Sequence, residues 1–127
     1  MKPTTTEWIA KAEADFATMQ RESNVTDLPN YDGICFPAQQ CAEKYLKGFL
    51  AYHNKETEKT HSIEKLLKQC QKIEDFSVFY DLIDLTDFAV SFRYPGEPIN
   101  LTSQDIIKYI NDIEKLMNFI GNLLSLE

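Results

Sequence analysis

At 127 residues with a net charge of −7, the chain has the length of one domain and a surface sign that repels phosphate backbones. A composition 43% apolar and 26% charged, with only 4 Gly and 5 Pro, excludes a disordered tail or a low-complexity chain. The charge also excludes a broad nonspecific coat on DNA or RNA, while leaving room for a pocket that holds one nucleotide or a short RNA.

Three cysteines, Cys35, Cys41 and Cys70, form no CxxC pair, and Cys41 and Cys70 fall at apolar helical positions. That pattern predicts free thiols acting as small hydrophobes in a reducing, cytoplasmic setting. The first residues, Met1 to Glu7, contain no apolar leader, and no apolar run approaches the ~18 residues of a membrane span. The expectation is a single domain over residues 1–127 with no membrane contact.

The first periodic segment opens at Thr4, with Glu7 three residues later as a capping box. Trp8, Ala12, Phe16 and Met19 recur at helical spacing and predict a helix to about Ser23. Asn24 to Asp32, with Pro29, Asn30 and the following Gly33, reads as a loop. A second helix is expected over Cys35 to His53, burying Ala38, Cys41, Ala42, Tyr45, Leu46, Phe49 and Leu50. Pro37 belongs in its first turn, or else kinks it. Gly48, in mid-helix at a cost of ~1 kcal/mol against Ala, predicts close approach of a second helix.

The polar run Asn54 to Lys59 connects to a short third helix, capped by Thr60 or Ser62 and carrying Ile63, Leu66, Leu67, Cys70 and Ile73. A fourth helix is expected from about Phe76 to Phe92, with Phe76, Phe79, Tyr80, Ile83 and Val90 inward. Arg93-Tyr94-Pro95-Gly96-Glu97-Pro98 ends it. In the last helix Thr102 is the N-cap, Asp105 suits the first turn, and Leu101 and Ile106 form a hydrophobic staple. Ile106, Ile110, Ile113, Met117, Ile120 and Leu124 then make a seam for bundle packing or a partner helix. No segment alternates with period two. The fold class is all-α, an up-and-down bundle of four to five antiparallel helices.

Three local patterns, in this order, carry a family resemblance over nearly the whole chain. Phe36-Pro37-Ala38-Gln39-Gln40-Cys41-Ala42-Glu43-Lys44-Tyr45-Leu46-Lys47 resembles the FHxQQAAEKxLK helix of the HEPN superfamily. Thr60-His61-Ser62-Ile63 is similar to its entry into the third helix, and Arg93-Tyr94-Pro95 to the RYP after its fourth. The resemblance implies a small helical bundle, often paired with a minimal nucleotidyltransferase as in toxin–antitoxin systems.

The residues can be weighed without the resemblance. Gln39, Gln40, Glu43, Lys44 and Lys47 lie off the apolar stripe on one flank of the second helix. Two amides, a carboxylate and two ammonium groups suit a base and a phosphate. They equally suit a solvated face, with Glu43 and Lys47 paired at i,i+4 for ~0.2–0.5 kcal/mol. Arg93, at a helix end before a rigid loop, suits phosphate, the terminal carbonyls of its own helix, or an ion pair with Glu43. His61 reads first as a structural group at a helix entrance, and His53 as a complement to a helix dipole. Two isolated histidines without ligand spacing predict no metal site, and no P-loop, GxGxxG or GxSxG is present.

Many HEPN proteins are ribonucleases with Arg followed four to six residues later by His. After Arg93 come Tyr94 to Asn100, and no histidine follows anywhere downstream. No catalytic residue is therefore assigned, and no cofactor is expected. The leading expectation is a nucleotide-binding or regulatory module (ATP being the first candidate) beside a nucleotidyltransferase, with Gln39, Gln40, Glu43, Lys44, Lys47, His61, Arg93 and Tyr94 as its site. The alternatives are a metal-independent ribonuclease with an altered Arg93–His61 centre and a homodimeric scaffold without ligand. The scaffold reading rests on the last helix's seam and on Tyr31, Tyr52 and Tyr109 as exposed aromatics.

Overall fold

In the computed structural model, residues 2–24, 31–57, 59–84 and 102–125 are described. Among them all regular structure is helical. Helix α1 spans Pro3–Ser23, α2 Tyr31–Tyr52 and α3 Ile63–Gln71. A 3-10 turn, Ser77–Phe79, precedes helical residues 81–84 (α4), and α5 spans Ser103–Ser125.

Helix α2 is the hub, packing against α1, α3 and α5 and most extensively against α1. The α1–α2 pair is antiparallel, because late residues of one meet early residues of the other. Lys44 reaches Asp15, Tyr45 reaches Glu13, and Gly48 faces Ile9 and Trp8. A Cβ at Gly48 would stand 3.1 Å from Ile9 Cδ1 and 3.3 Å from Trp8 Cβ. The glycine lets the helices approach as the sequence predicted. All seven apolar residues expected on the inner face of α2 are buried. Each large one, such as Phe49 or Leu46, contributes about 1.5–3 kcal/mol by leaving water.

The starts of α1 and α2 differ from expectation, the first for a local reason and the second because of tertiary burial. In α1, Pro3 supplies the preset φ of a first helical position, so Lys2 becomes the N-cap and Thr4 lies inside the helix. The expected Thr4–Glu7 capping box therefore does not form, and Glu7 pairs with Lys11 at 3.5 Å instead. Helix α2 begins at Tyr31, a turn earlier than predicted, which leaves Pro37 in its interior. Proline there costs about 3 kcal/mol. Ile34, Cys35 and Ala38 are all buried around it, and their burial offsets that cost.

Two stops and starts follow side-chain chemistry closely. Asn54 adopts a left-handed φ of 60°, and the N–H groups of Asn54 and Lys55 close onto Ala51 O and Leu50 O at 3.0 and 2.9 Å. This Schellman geometry ends α2. Ser62 Oγ accepts from Lys65 N at 3.2 Å, and Thr60 Oγ1 accepts from Ser62 N at 3.1 Å, so both expected residues shape the start of α3. Ile63, Leu66, Leu67 and Cys70 point inward as expected.

The single helix expected from Phe76 to Phe92 begins instead as the 3-10 turn. Asp75 Oδ1 accepts from Ser77 N at 2.9 Å, and Gln71 Oε1 accepts from Phe76 N at 2.6 Å. These side-chain bonds compete with helical ones at the entry. Phe76 is buried and stacks edge-on against Phe49 and Phe119, each with ring centroids 5.1 Å apart. That aromatic cluster ties α2, the turn and α5 together. Val90 lies outside the described residues.

Helix α5 opens with reciprocal capping. Thr102 N donates to Asp105 Oδ2 at 3.0 Å, and Asp105 N donates to Thr102 Oγ1 at 3.1 Å. Leu101 lies outside the described residues, so only Ile106, buried, represents the staple. The buried stripe is Ile106, Tyr109, Ile113, Leu116, Ile120 and Leu124. Ile110 and Met117, placed on the seam by the sequence, are half-buried at its edge. The correction extends to the aromatics: Tyr109 is 2% exposed and Tyr52 half-buried, whereas the side chain of Tyr31 is not among those described. The seam is used by the core. Among the described residues no helix is long and apolar enough to cross a membrane.

Candidate functional site

Helical spacing on α2 places Gln39, Gln40, Glu43, Lys44 and Lys47 along one flank. Most of the flank is shielded from solvent, with Gln40 and Lys44 half-buried at its edge. Gln39, Glu43 and Lys47 are buried, wedged between α1 and the entry to α3, so the solvated-face alternative does not hold for them. Polar groups are retained in such a position only when they find partners, and here most do.

Glu43 is the centre. Its side chain is 2% exposed, and its Oε1 receives Lys47 Nζ at 3.1 Å and His61 Nδ1 at 2.6 Å. Its second oxygen, Oε2, is buried without a hydrogen-bond partner among the described residues. Lys47 is also held 5.3 Å from the centroid of the Trp8 ring, where the π-face attracts an ammonium. Gln39 Nε2 donates to the His61 carbonyl at 3.1 Å, and Gln40 Nε2 donates to Gln39 Oε1 at 2.9 Å. The structure thus brings Gln39, Gln40, Glu43, Lys47 and His61 into one connected network.

Lys44 belongs to a neighbouring bond instead. It pairs with Asp15 of α1 at 2.6 Å, beside the Tyr45 hydroxyl, which donates to Glu13 Oε1 at 3.3 Å. Burial, and then Glu13, push the Tyr45 hydroxyl above the usual phenol range. Arg93 and Tyr94 lie outside the described residues.

Sequence reasoning missed Trp8 as a wall of this site, and Asp15 as the partner of Lys44. The signal was present: Trp8 sits on the predicted stripe of the first helix, and Asp15 borders it. What was missing was the register that sets α1 opposite α2.

The network has a chemical direction. A carboxylate facing Lys47 is an acceptor, so His61 donates from Nδ1. The neutral imidazole then carries its lone pair on Nε2, and the ring is 82% exposed. The buried end of the network orients the exposed end. No group of three His, Cys, Asp or Glu side chains suited to a metal occurs among the described residues.

All three cysteines are buried and free. Burial raises the Cys35 thiol to about 11 and that of Cys70 to about 12. Cys41 also rises to about 12, by burial first and then by Asp15 and Glu13. Such thiols act as packing groups.

A helical bundle with a buried polar network on its second helix is the class that this fold and site define. The chain matches the HEPN domain family over residues 5–123 and belongs to that family. Its structure resembles the crystal structure of ST0689, an archaeal HEPN homologue, with a TM-score of 0.74 and 27% sequence identity. That match covers 97% of this chain and 98% of the other. No curated protein sequence matches the chain.

Proposed function

We propose that this HEPN domain is a nucleotide-binding or regulatory module that works beside a nucleotidyltransferase, as in toxin–antitoxin pairs. The observation that carries the reading is the buried Glu43 carboxylate, whose Oε2 has no partner among the described residues. An unsatisfied acceptor on a buried charged group costs about 1–3 kcal/mol or more, and a base N–H would remove that cost. The exposed His61 ring is the solvent-facing end of the network that holds this carboxylate, and a ligand that displaces it from Glu43 gains access to the carboxylate. Gln40, half-buried at the edge of the network, supplies a second amide to the base. Arg93 and Tyr94 are assigned to phosphate, with two copies of the chain pairing around the nucleotide.

Calorimetric titration with ATP and GTP tests the reading. Binding is expected to weaken by about 1–3 kcal/mol in Arg93→Ala, as for a charge-assisted contact, and to fall in Glu43→Gln. Silence with every nucleotide would sink it. A monomer by light scattering in the presence of nucleotide would remove the paired arrangement.

One observation favours a second reading, a metal-independent ribonuclease. Glu43 holds His61 by Nδ1 and leaves Nε2 outward, the arrangement of a general base steadied by a carboxylate. Cleavage of RNA by the pure protein, abolished in His61→Ala, would support it. No cleavage at high protein concentration would dismiss it.

A further inference from the structure

A cavity of about 530 Å3 lies at the C-terminal ends of α2 and α3, sharing no residue with the Glu43 network. Leu50 and Ile73 give it apolar walls; His53, Lys55, Lys72, Glu56 and Gln69 give it polar ones. Its size is within the range of small-molecule sites. In a chain of net charge −7, two lysines against one glutamate make a locally basic wall.

Two features show that the cavity's polar groups are not spent on the fold. Lysines at helix C-termini ordinarily serve the last carbonyls. Here backbone N–H groups reach several of them: Lys55 N bonds Leu50 O at 2.9 Å, Ile73 N bonds Cys70 O at 2.9 Å, and Lys72 N bonds Gln69 O at 3.3 Å. Among the described residues the ammonium groups of Lys55 and Lys72 have neither a hydrogen bond nor an ion pair. The contrast is Lys44, Lys47 and Lys108, all of which are paired. The second feature is Gln69 Oε1, buried with no donor among the described residues. A ligand here must therefore bring negative charge for the lysines and an O–H or N–H for Gln69.

We propose that this cavity binds a small phosphomonoester on a hydroxylated carbon skeleton, a sugar phosphate in chemical class. The dianionic phosphate sits between Lys55 and Lys72 with His53 beside it. Hydroxyl groups donate to Gln69 Oε1 and to Glu56, and the carbon face of the skeleton packs on Leu50 and Ile73. A simple carboxylate would supply less charge and no donors; an unmodified sugar would leave both lysines unmatched.

Titration with glucose 6-phosphate, glucose and inorganic phosphate, followed by amide chemical shifts and calorimetry, tests the assignment. Glucose 6-phosphate is expected to bind saturably and to shift the amides of Lys55, Gln69 and Lys72, while the other two bind at least tenfold more weakly. The double variant Lys55→Met/Lys72→Met should lose tenfold or more, and Gln69→Leu should also weaken binding. Lys65→Met, which removes an exposed lysine of α3 outside the cavity, should leave it unchanged. Equal binding of inorganic phosphate, full retention in the double variant, or no saturation by about 10 mM would each overturn the proposal.

Discussion

His61 Nδ1 stands 2.6 Å from Glu43 Oε1, joining a ring that is 82% exposed to a carboxylate that is 2% exposed. The two ends of this bond differ sharply in what their loss leaves behind. Glu43→Ala strands Lys47, itself only 10% exposed, without its counter-charge, and is expected to cost about 3 kcal/mol. His61→Ala removes a solvated ring and should cost well under half as much. Urea denaturation of the two variants decides it, and equal losses would show that Glu43 is less dependent on its pairing than the geometry says.

Two helical glycines, Gly48 and Gly121, should respond in opposite ways to alanine. At Gly121 a Cβ would meet nothing within 4 Å, so Gly121→Ala is expected to gain up to about 1 kcal/mol from helix propensity. At Gly48 the same gain is set against crowding with Ile9 and Trp8, and a net loss of about 1 kcal/mol is expected. Gly48→Leu should lose about 3 kcal/mol or more. Thermal melts compare them, and a stabilising Gly48→Ala would mean that the α1–α2 contact has slack.

Asp75 offers a pH test. Hydrogen bonds from Gln71 and then Ser77 hold its carboxyl near about 2, below its usual 3.8. A depressed carboxyl stabilises the fold above its unfolded value, and that contribution fades as pH falls through the folded one. Asp75→Asn should therefore be less stable than the parent near neutral pH, with the gap closing between about 3.8 and about 2. Denaturant midpoints across that range measure it; a gap that stays constant would assign the difference to shape rather than charge.

The core of α2 and the caps at Ser62 and Thr102 were legible because each depends on residues close in sequence, and the tight approach at Gly48 because a glycine in mid-helix marks it. The start of α2 was not. Asp32, Gly33 and Pro37 look like breakers, and only the buried surroundings of Ile34 and Cys35 decide otherwise. The 3-10 entry near Phe76 was hidden for a related reason, since it depends on where the Asp75 carboxylate reaches. The candidate site was legible in membership and illegible in environment. Gln39, Glu43 and Lys47 have the side chains of a wetted surface, and periodicity sorts residues by type. It does not show that Trp8 and the His61 segment will close over them.

The three thiols, shut inside the bundle and hard to ionise, leave the protein silent toward sulfur-directed reagents while it stays folded. A cysteine installed at the unobstructed, exposed Gly121 would then be the one thiol open to a dye or spin label. Distances between two copies, or between this chain and a bound protein, become measurable by fluorescence or electron spin resonance without first stripping out a native residue.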